Sequence, residues 1–323
     1  MSGFKLDASF QTGADGSQKL TRQPFTGGFF SLSFDNAGSS EGTSYLKSVD
    51  GGGVKGELIS EPVGPHNLQI KHLSTIAIEP ITFEIGLAEA KSVLKWIKES
   101  WDKQYSRRNG MISYADANCR VHYEHWFYNA VITEVSFPAF DAASKDSAYL
   151  KVKIQPENVE LKRVGGSNKV AGTAAPRQKE MTAASFSIKL DPNLDMRVVS
   201  KIENVSFKQG VKTLYSGRER LAQVEPTKIE FSDFSVTMPM QFADHLFQWH
   251  EDFVIKGKRD PDQEKTGAIE VLSPNKGSVL FRIDLYQVGI RNAAIAKSDA
   301  HADGIKRVKF DFYVGQMKLD KLA

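Results

Sequence analysis

The chain has 323 residues, 41% hydrophobic and 25% charged; this excludes neither one large nor two ordinary globular domains, and it excludes a disordered or fibrous chain. Its 42 basic and 39 acidic residues leave a net charge of +3, too small a balance to argue for nucleic-acid binding. The single cysteine, Cys119, excludes an internal disulfide, and no run of 18 apolar residues exists to span a membrane.

Residues 1–28 are polar and Gly-rich, without an apolar run of signal-peptide length. They read as a flexible arm, and the chain as one made in the cytoplasm without Sec-type export. Phe30, Leu32 and Phe34 then alternate with polar residues, as in a strand buried on one face. A second strand-like segment covers residues 45–49. Glu79-Pro80 enters another alternating run, Ile81, Phe83 and Ile85. Val93, Ile97 and Trp101 recur at helical spacing and lay one apolar stripe on a helix. Asn109-Gly110 marks a turn after that helix. Leu150, Val152 and Ile154 close the half, alternating with Lys151 and Lys153.

Residues 165–179 (GGSNKVAGTAAPRQK) have linker composition. The order of elements then repeats. Phe186, Ile188 and Leu190 alternate, residues 198–202 read as a strand, and Glu225-Pro226 precedes Ile229 and Phe231. Phe242, Leu246, Trp249 and Phe253 form a helical stripe, with Gly257 suited to its C-terminal cap. Val308, Phe310 and Phe312 alternate with Lys309 and Asp311. Equivalent features lie 156, 146, 153 and 156 residues apart, which reads as duplication. The dip to 146 at the Glu-Pro pairs predicts a first-half loop about ten residues longer, within residues 51–74.

The expected organisation is a first domain at 1–164, including the arm at 1–28, a linker at 165–181 and a second domain at 182–323. Each half is mainly β with one amphipathic helix. One helix cannot cover both faces of such a sheet, so each sheet is expected to close or fold over as an antiparallel barrel or sandwich. The charged strand faces suit an exterior or the lining of an aqueous channel.

Motifs with a chemical reading lack their context. Gly38-Ser39-Ser40-Glu41-Gly42 matches the nucleophile-elbow pattern, but a strand-like segment follows where a helix is needed. Gly51, Gly53 and Gly56 match the dinucleotide fingerprint, again with no helix to face a pyrophosphate. On a strand, His122 and Glu124 share one face and His125 takes the other, which spoils a shared metal. Asp299, His301 and Asp303 alternate in an Ala-rich loop. Lys162-Arg163 and the sparse charges of 169–179 read as a solvated linker rather than a nucleic-acid tail. Trp96 and Trp249 read as core beneath the helices, and Cys119 as an ordinary thiol. No catalytic, cofactor-binding or metal-ligating residue is assigned, and no cofactor.

Several segments resemble the tail tube proteins of contractile phage tails and related injection machines. In the first half these are FFSLSFDNAG (29–38), YLKSVDGG (45–52), SEPVGPHNLQIKHL (60–73) and NAVITEVSFPAFDAASKDSAYLKVKIQPE (129–157). SKIENVSFKQ (200–209), DLYQVGI (284–290) and KRVKFDFYVGQM (306–317) occupy matching places in the second half. The resemblance covers roughly residues 28–160 and 182–320. It implies two tandem barrel or sandwich domains of tail-tube type, and a structural subunit rather than an enzyme. Family rings are sixfold and usually built from single-domain subunits, so this tandem chain implies a trimer with pseudo-sixfold symmetry around a lumen. The implied partners are further copies of the chain and other machine components (sheath, baseplate or hub), with no specific nucleic-acid site and no membrane insertion. Residues 51–74 match the loop that reaches the neighbouring ring; the counterpart at 207–222 is shorter and more basic, which points to an initiator, terminator or adaptor ring. The alternative is a two-domain β-rich ligand-binding or enzymatic module acting as a monomer or dimer.

Overall fold

The computed structural model describes residues 10–12, 18–20, 27–34, 44–64, 68–104, 106–166, 168–170, 181–191, 194–217, 221–273, 275, 277–296 and 305–322. Most of the arm at 1–28 and of the linker at 165–181 lies outside them, as do the whole Gly38-Ser39-Ser40-Glu41-Gly42 motif, and Asp299, His301 and Asp303.

The first half opens with a short hairpin, β1 (Phe10–Thr12) and β2 (Gln18–Leu20). Then come β3 (Phe29–Phe34), β4 (Ser44–Gly51), β5 (Val54–Val63), β6 (Leu68–Ile78), β7 (Ile81–Gly86), α1 (Lys91–Trp101), β8 (Arg108–Ala115), β9 (Val121–Ser136), β10 (Phe140–Asp141), β11 (Tyr149–Gln155) and β12 (Asn158–Arg163). Strands β11, β7, β4, β3, β8 and β9 pair in that order, and β11 pairs back onto β9. That closes an antiparallel barrel, as the alternating patterns require: Ile81, Phe83, Ile85, Leu150, Val152 and Ile154 all point inward with no exposed surface. Helix α1 buries Val93, Trp96, Ile97 and Trp101.

The second half repeats the order with β13 (Phe186–Leu190), β14 (Lys201–Glu203), β15 (Ser206–Leu214), β16 (Gln223–Phe231), β17 (Phe234–Pro239), α2 (Asp244–His250), β18 (Lys265–Leu272), β19 (Val279–Ile295) and β20 (Arg307–Leu322). The registers match: Val152 faces Phe83 in the first half, and Phe310 faces Val236 in the second. Both long central strands are bulged at the same place, where Asn129 and Gln287 have positive φ of 49° and 56°. This second sheet runs β10-β14-β17-β20-β19-β18-β13. It is a half-barrel: β13 and β14 lie at opposite ends of the path and do not pair, and β10 of the first half adds to β14 at Ile202 and Lys201.

Three sequence readings change. Asn109-Gly110 lies inside β8 rather than in a turn. A Cβ at Gly110 would sit 2.6 Å from the Ser33 carbonyl oxygen and 2.5 Å from the Phe127 ring, so the glycine serves close strand approach. Glu225-Pro226 lies within β16 and does not precede the strand equivalent to β7. Pro226 is tolerated because β16 is an edge strand and the β15–β16 register slips nearby. The predicted length difference therefore vanishes: Gly51 to Ile81 and Glu203 to Phe234 enclose hairpins of nearly equal length. Finally, Phe242 leaves the helical stripe for a 3₁₀ turn and is 52% exposed. A π-helical turn, Glu251–Ile255, follows α2 and keeps the Phe253 ring 6.1 Å from Trp249. Gly257 then takes a left-handed φ of 69°, as a cap position needs.

Candidate assembly surfaces

The two halves are joined by strand addition. From residue 134 to 141 the first half runs antiparallel to residues 201–208 of the second. Ser136, Val135 and Glu134 face Ser206, Phe207 and Lys208, and Phe140 and Asp141 face Ile202 and Lys201. Between these pairs the Phe137 amide donates to the Val205 carbonyl at 2.9 Å. The β15–β16 hairpin of the second half thereby extends the first-half sheet.

Side chains seal this backbone seam. The Trp101 ring at the end of α1 meets Phe207, Phe231 and Phe137 edge-on, at 5.1, 5.5 and 6.3 Å. Phe137 reaches on to Phe281 of β19 at 5.9 Å, and α1 packs on β20. Glu157, where β11 gives way to β12, accepts from Arg107 and, at 2.9 Å each, from the Asn129 side chain and the Val224 amide. Arg107 also donates to Glu225 at 2.7 Å. One carboxylate therefore anchors β16 to the first barrel.

Each half also projects a hairpin. That of the first half, β5–β6, pairs within itself alone among the described residues and exposes a row of apolar side chains, with Val54, Leu58, Leu68 and Leu73 each at least 60% exposed. A cavity of about 560 Å³ lies at its base, lined by Gly51, Gly52, Tyr114, Tyr123, His125 and Leu161 among others. The hairpin of the second half exposes fewer apolar side chains, Val211, Leu214 and Tyr215, and its Lys208 pairs with Glu134 across the seam at 3.5 Å. These hairpins are the segments singled out from the sequence at 51–74 and 207–222.

The outer strand faces are wet and of mixed sign. Lys151 stands opposite Glu84. Glu203 receives Lys201 at 2.6 Å and Lys309 at 3.1 Å, which together hold its carboxyl below the usual range. Burial would raise the Asp311 carboxyl, but hydrogen bonds from Asn292 and Ser235 with nearby Lys309 bring it below normal. Such partly exposed pairs add little stability; their consequence is a hydrated surface that repels neither sign of charge strongly.

His122 contacts Asp116 at 3.0 Å, Glu124 accepts from Trp126 at 3.1 Å, and His125 turns into the other face beneath Gly52. Gly51, with a φ of 89°, ends β4, Gly53 lies in the turn to β5, and Gly56 lies inside β5 beside a register shift against β6. Trp96 is fully buried and donates to the Ser106 carbonyl at 2.7 Å. The side-chain seal at the junction was not foreseen, because edge contacts between Trp101 and Phe207, 106 positions away, leave no local periodicity.

Residues 29–160 match the family described as T4-like virus tail tube protein gp19. Among solved structures, the chain is similar to one from the PVC sheath-tube complex of an extracellular contractile injection system, at 20% identity, covering 45% of this chain and 95% of that one with a TM-score of 0.39. The anti-feeding prophage tube-terminating cap aligns at 17% identity over 47% of this chain and 99% of its own, with a TM-score of 0.38. Hcp1 from Salmonella typhimurium aligns at 13% identity over 42% and 89%, with a TM-score of 0.30. No curated protein matches the chain. Among the described residues, no helix is long and apolar enough to cross a membrane.

Proposed function

We propose that this chain is a structural subunit of a phage-tail-like tube or ring, a tandem of two tube-type units at 1–164 and 182–323 joined by the segment 165–181. Three chains place six such units around a lumen with pseudo-sixfold symmetry, and no residue of the chain carries catalysis. One observation carries this reading: the two halves already associate with each other as repeating subunits do, by strand addition sealed with aromatic side chains. The family match over residues 29–160 supports it. The wet strand faces suit an aqueous lumen. The chain is made in the cytoplasm and works in an assembled particle, against sheath, baseplate or hub.

The unlike hairpins favour a specialised ring. A first hairpin with a long row of exposed apolar side chains and a second with fewer present unlike surfaces to whatever lies above or below. A uniform tube stacks like on like; an initiator, terminator or adaptor ring meets a different neighbour. Electron microscopy of the purified protein with mass photometry tests both levels. Trimeric six-lobed rings are expected, stacking poorly with one another. Long uniform tubes would remove the specialised role, and a persistent monomer of about the chain's 35.9 kDa would overturn the ring reading in favour of a ligand-binding module.

A further inference from the structure

The internal junction also shows what should cover the surfaces left open. Each half has a donor end, formed by its helix terminus and the far end of its long central strand. Each half also has a socket, formed by its hairpin base, its long central strand and the strand beside it. Inside the chain the first donor fills the second socket: Trp101 and Phe137 are buried against Phe207, Phe231 and Phe281.

The matched registers name the counterparts. Gly110 with Phe34 corresponds to Gly267 with Leu190, and Leu161 with His125 corresponds to Leu319 with Ile283. In the filled second socket, Phe281, Ile283, Met317 and Leu319 are at most 3% exposed. In the first socket, the matching Tyr123 and Val159 are half-buried, Leu161 is 47% exposed, and the 560 Å³ cavity lies open between them. The second donor is equally bare. Val254 and Ile255 stand where Trp101 stands and are 44% and 71% exposed; Ile295 stands where Phe137 stands and is 54% exposed.

The backbone edges tell the same story. Among the described residues, nothing pairs with β4 beyond Leu46 or with β5 on the edge away from β6 and β7, the edge equivalent to the one that carries residues 134–141 in the second half. Nor does anything pair with β19 beyond Val288 on the side of β18. Unpaired strand edges bordered by exposed apolar side chains are templates for another chain.

We infer that the open socket of the first half receives the donor end of the second half of another copy of this chain, with β19 adding antiparallel to the 53–55 edge so that Asn292 faces Lys55. The contact is head to tail rather than two-fold, since donor and socket lie on different surfaces of one chain. It deepens the ring reading above and rests on it for closure, but the pairwise contact stands without closure.

The test is a disulfide across the predicted pair. Directly opposed antiparallel residues lie about 4.5–5.5 Å apart at Cα, within disulfide range. The double variant Lys55→Cys/Asn292→Cys is made in a Cys119→Ser background and oxidised at concentrations that allow assembly. Glu134→Cys/Lys208→Cys, the same geometry inside one chain, is the control and gives an intrachain bridge only. Chain-to-chain bridged species are expected, ending at a covalent trimer where the ring closes. Mixing the two single-cysteine chains should give a bridged dimer and nothing larger, whereas either alone gives none through this pair. A bridged ladder that runs on past the trimer keeps the interface and sinks the three-chain ring. Rings of normal appearance without bridging sink the interface and leave the ring. Monomers throughout, with the control bridge formed, overturn both.

Discussion

His125 shows how one side chain reports on a surface. It is 8% exposed, beneath Gly52 and beside Tyr114, whose ring lies 6.5 Å away. Burial depresses its pKa below the ordinary value, partly offset by a hydrogen bond with the Gly52 backbone. The unfolded chain, with a histidine near 6.5, then binds the proton more readily than the folded one. Stability from this group is complete above the unfolded pKa and is lost as pH falls below it. Between pH 7.5 and 5.5 the wild-type melting temperature should fall more than that of His125→Phe, whose apolar ring has nothing to protonate. Parallel pH profiles for the two proteins would remove His125 as the cause. The position also explains its neighbour: Gly52 has a φ of 77°, and a Cβ there would lie 2.4 Å from the imidazole Cε1.

At the scale of elements, the hairpin of the second half depends on a few polar contacts beyond its short ladder on β9. Glu157 supplies one directly, from the Val224 amide, and holds Arg107, which donates to Glu225. Glu157→Ala leaves Arg107, the Asn129 amide and the Val224 amide without their shared acceptor, a loss of about 1–3 kcal/mol. Hydrogen exchange should quicken in residues 224–231 while β7 and β11, inside the closed barrel, stay protected. Uniform loosening of both would mean that Glu157 supports the barrel and not the hairpin. The strands flanking the hairpins were legible in the sequence, because Ile81, Phe83 and Ile85, or Val308, Phe310 and Phe312, alternate with polar residues on a surface buried on one side. The mainly β class, both helices and the Trp96–Trp249 equivalence followed from the same periodicities. Of the hairpin strands, residues 54–59 read as extended and Ile229 and Phe231 as an alternating run, but β6 and β15 were not legible; in β5 every residue is exposed, so no burial pattern marks its extent. The Glu-Pro equivalence failed for a related reason, since a proline signals a strand entry in one half and an edge-strand irregularity in the other. The donor and socket surfaces were invisible, because only the three-dimensional junction shows which exposed apolar residues correspond to buried ones.

For the molecule as a whole, the apolar core does not stop at the boundary between halves. One contiguous buried cluster joins Leu32, Phe83 and Trp96 of the barrel to Phe207, Phe281 and Leu319 of the half-barrel. The second sheet stays open, with β10 of the first half on its β14 edge, so it depends on the first half for both edge pairing and cover. The two halves should therefore unfold together, giving one calorimetric transition despite a length that ordinarily permits two. Trp101 is the side chain on which that coupling turns. Trp101→Ala opens a cavity where α1, β9 and the second hairpin meet, at a cost of about 3–5 kcal/mol, and should lower the melting temperature on the order of 5–10 °C. Because the lost contacts lie between the halves, the half-barrel should melt first, splitting the transition in two. Trp101→Phe tests the geometry independently: it keeps an aromatic edge toward Phe207 and Phe231 and removes an indole nitrogen that is buried with no hydrogen-bond partner, so its loss should be less than half as large. Two transitions already present in the wild type, with Trp101→Ala shifting only the first, would mean that each half carries its own core and that the junction is a contact between finished domains. A single transition that splits on truncation would mean that the half-barrel is completed by its neighbour, the relation that a second copy of the chain would repeat at the open socket.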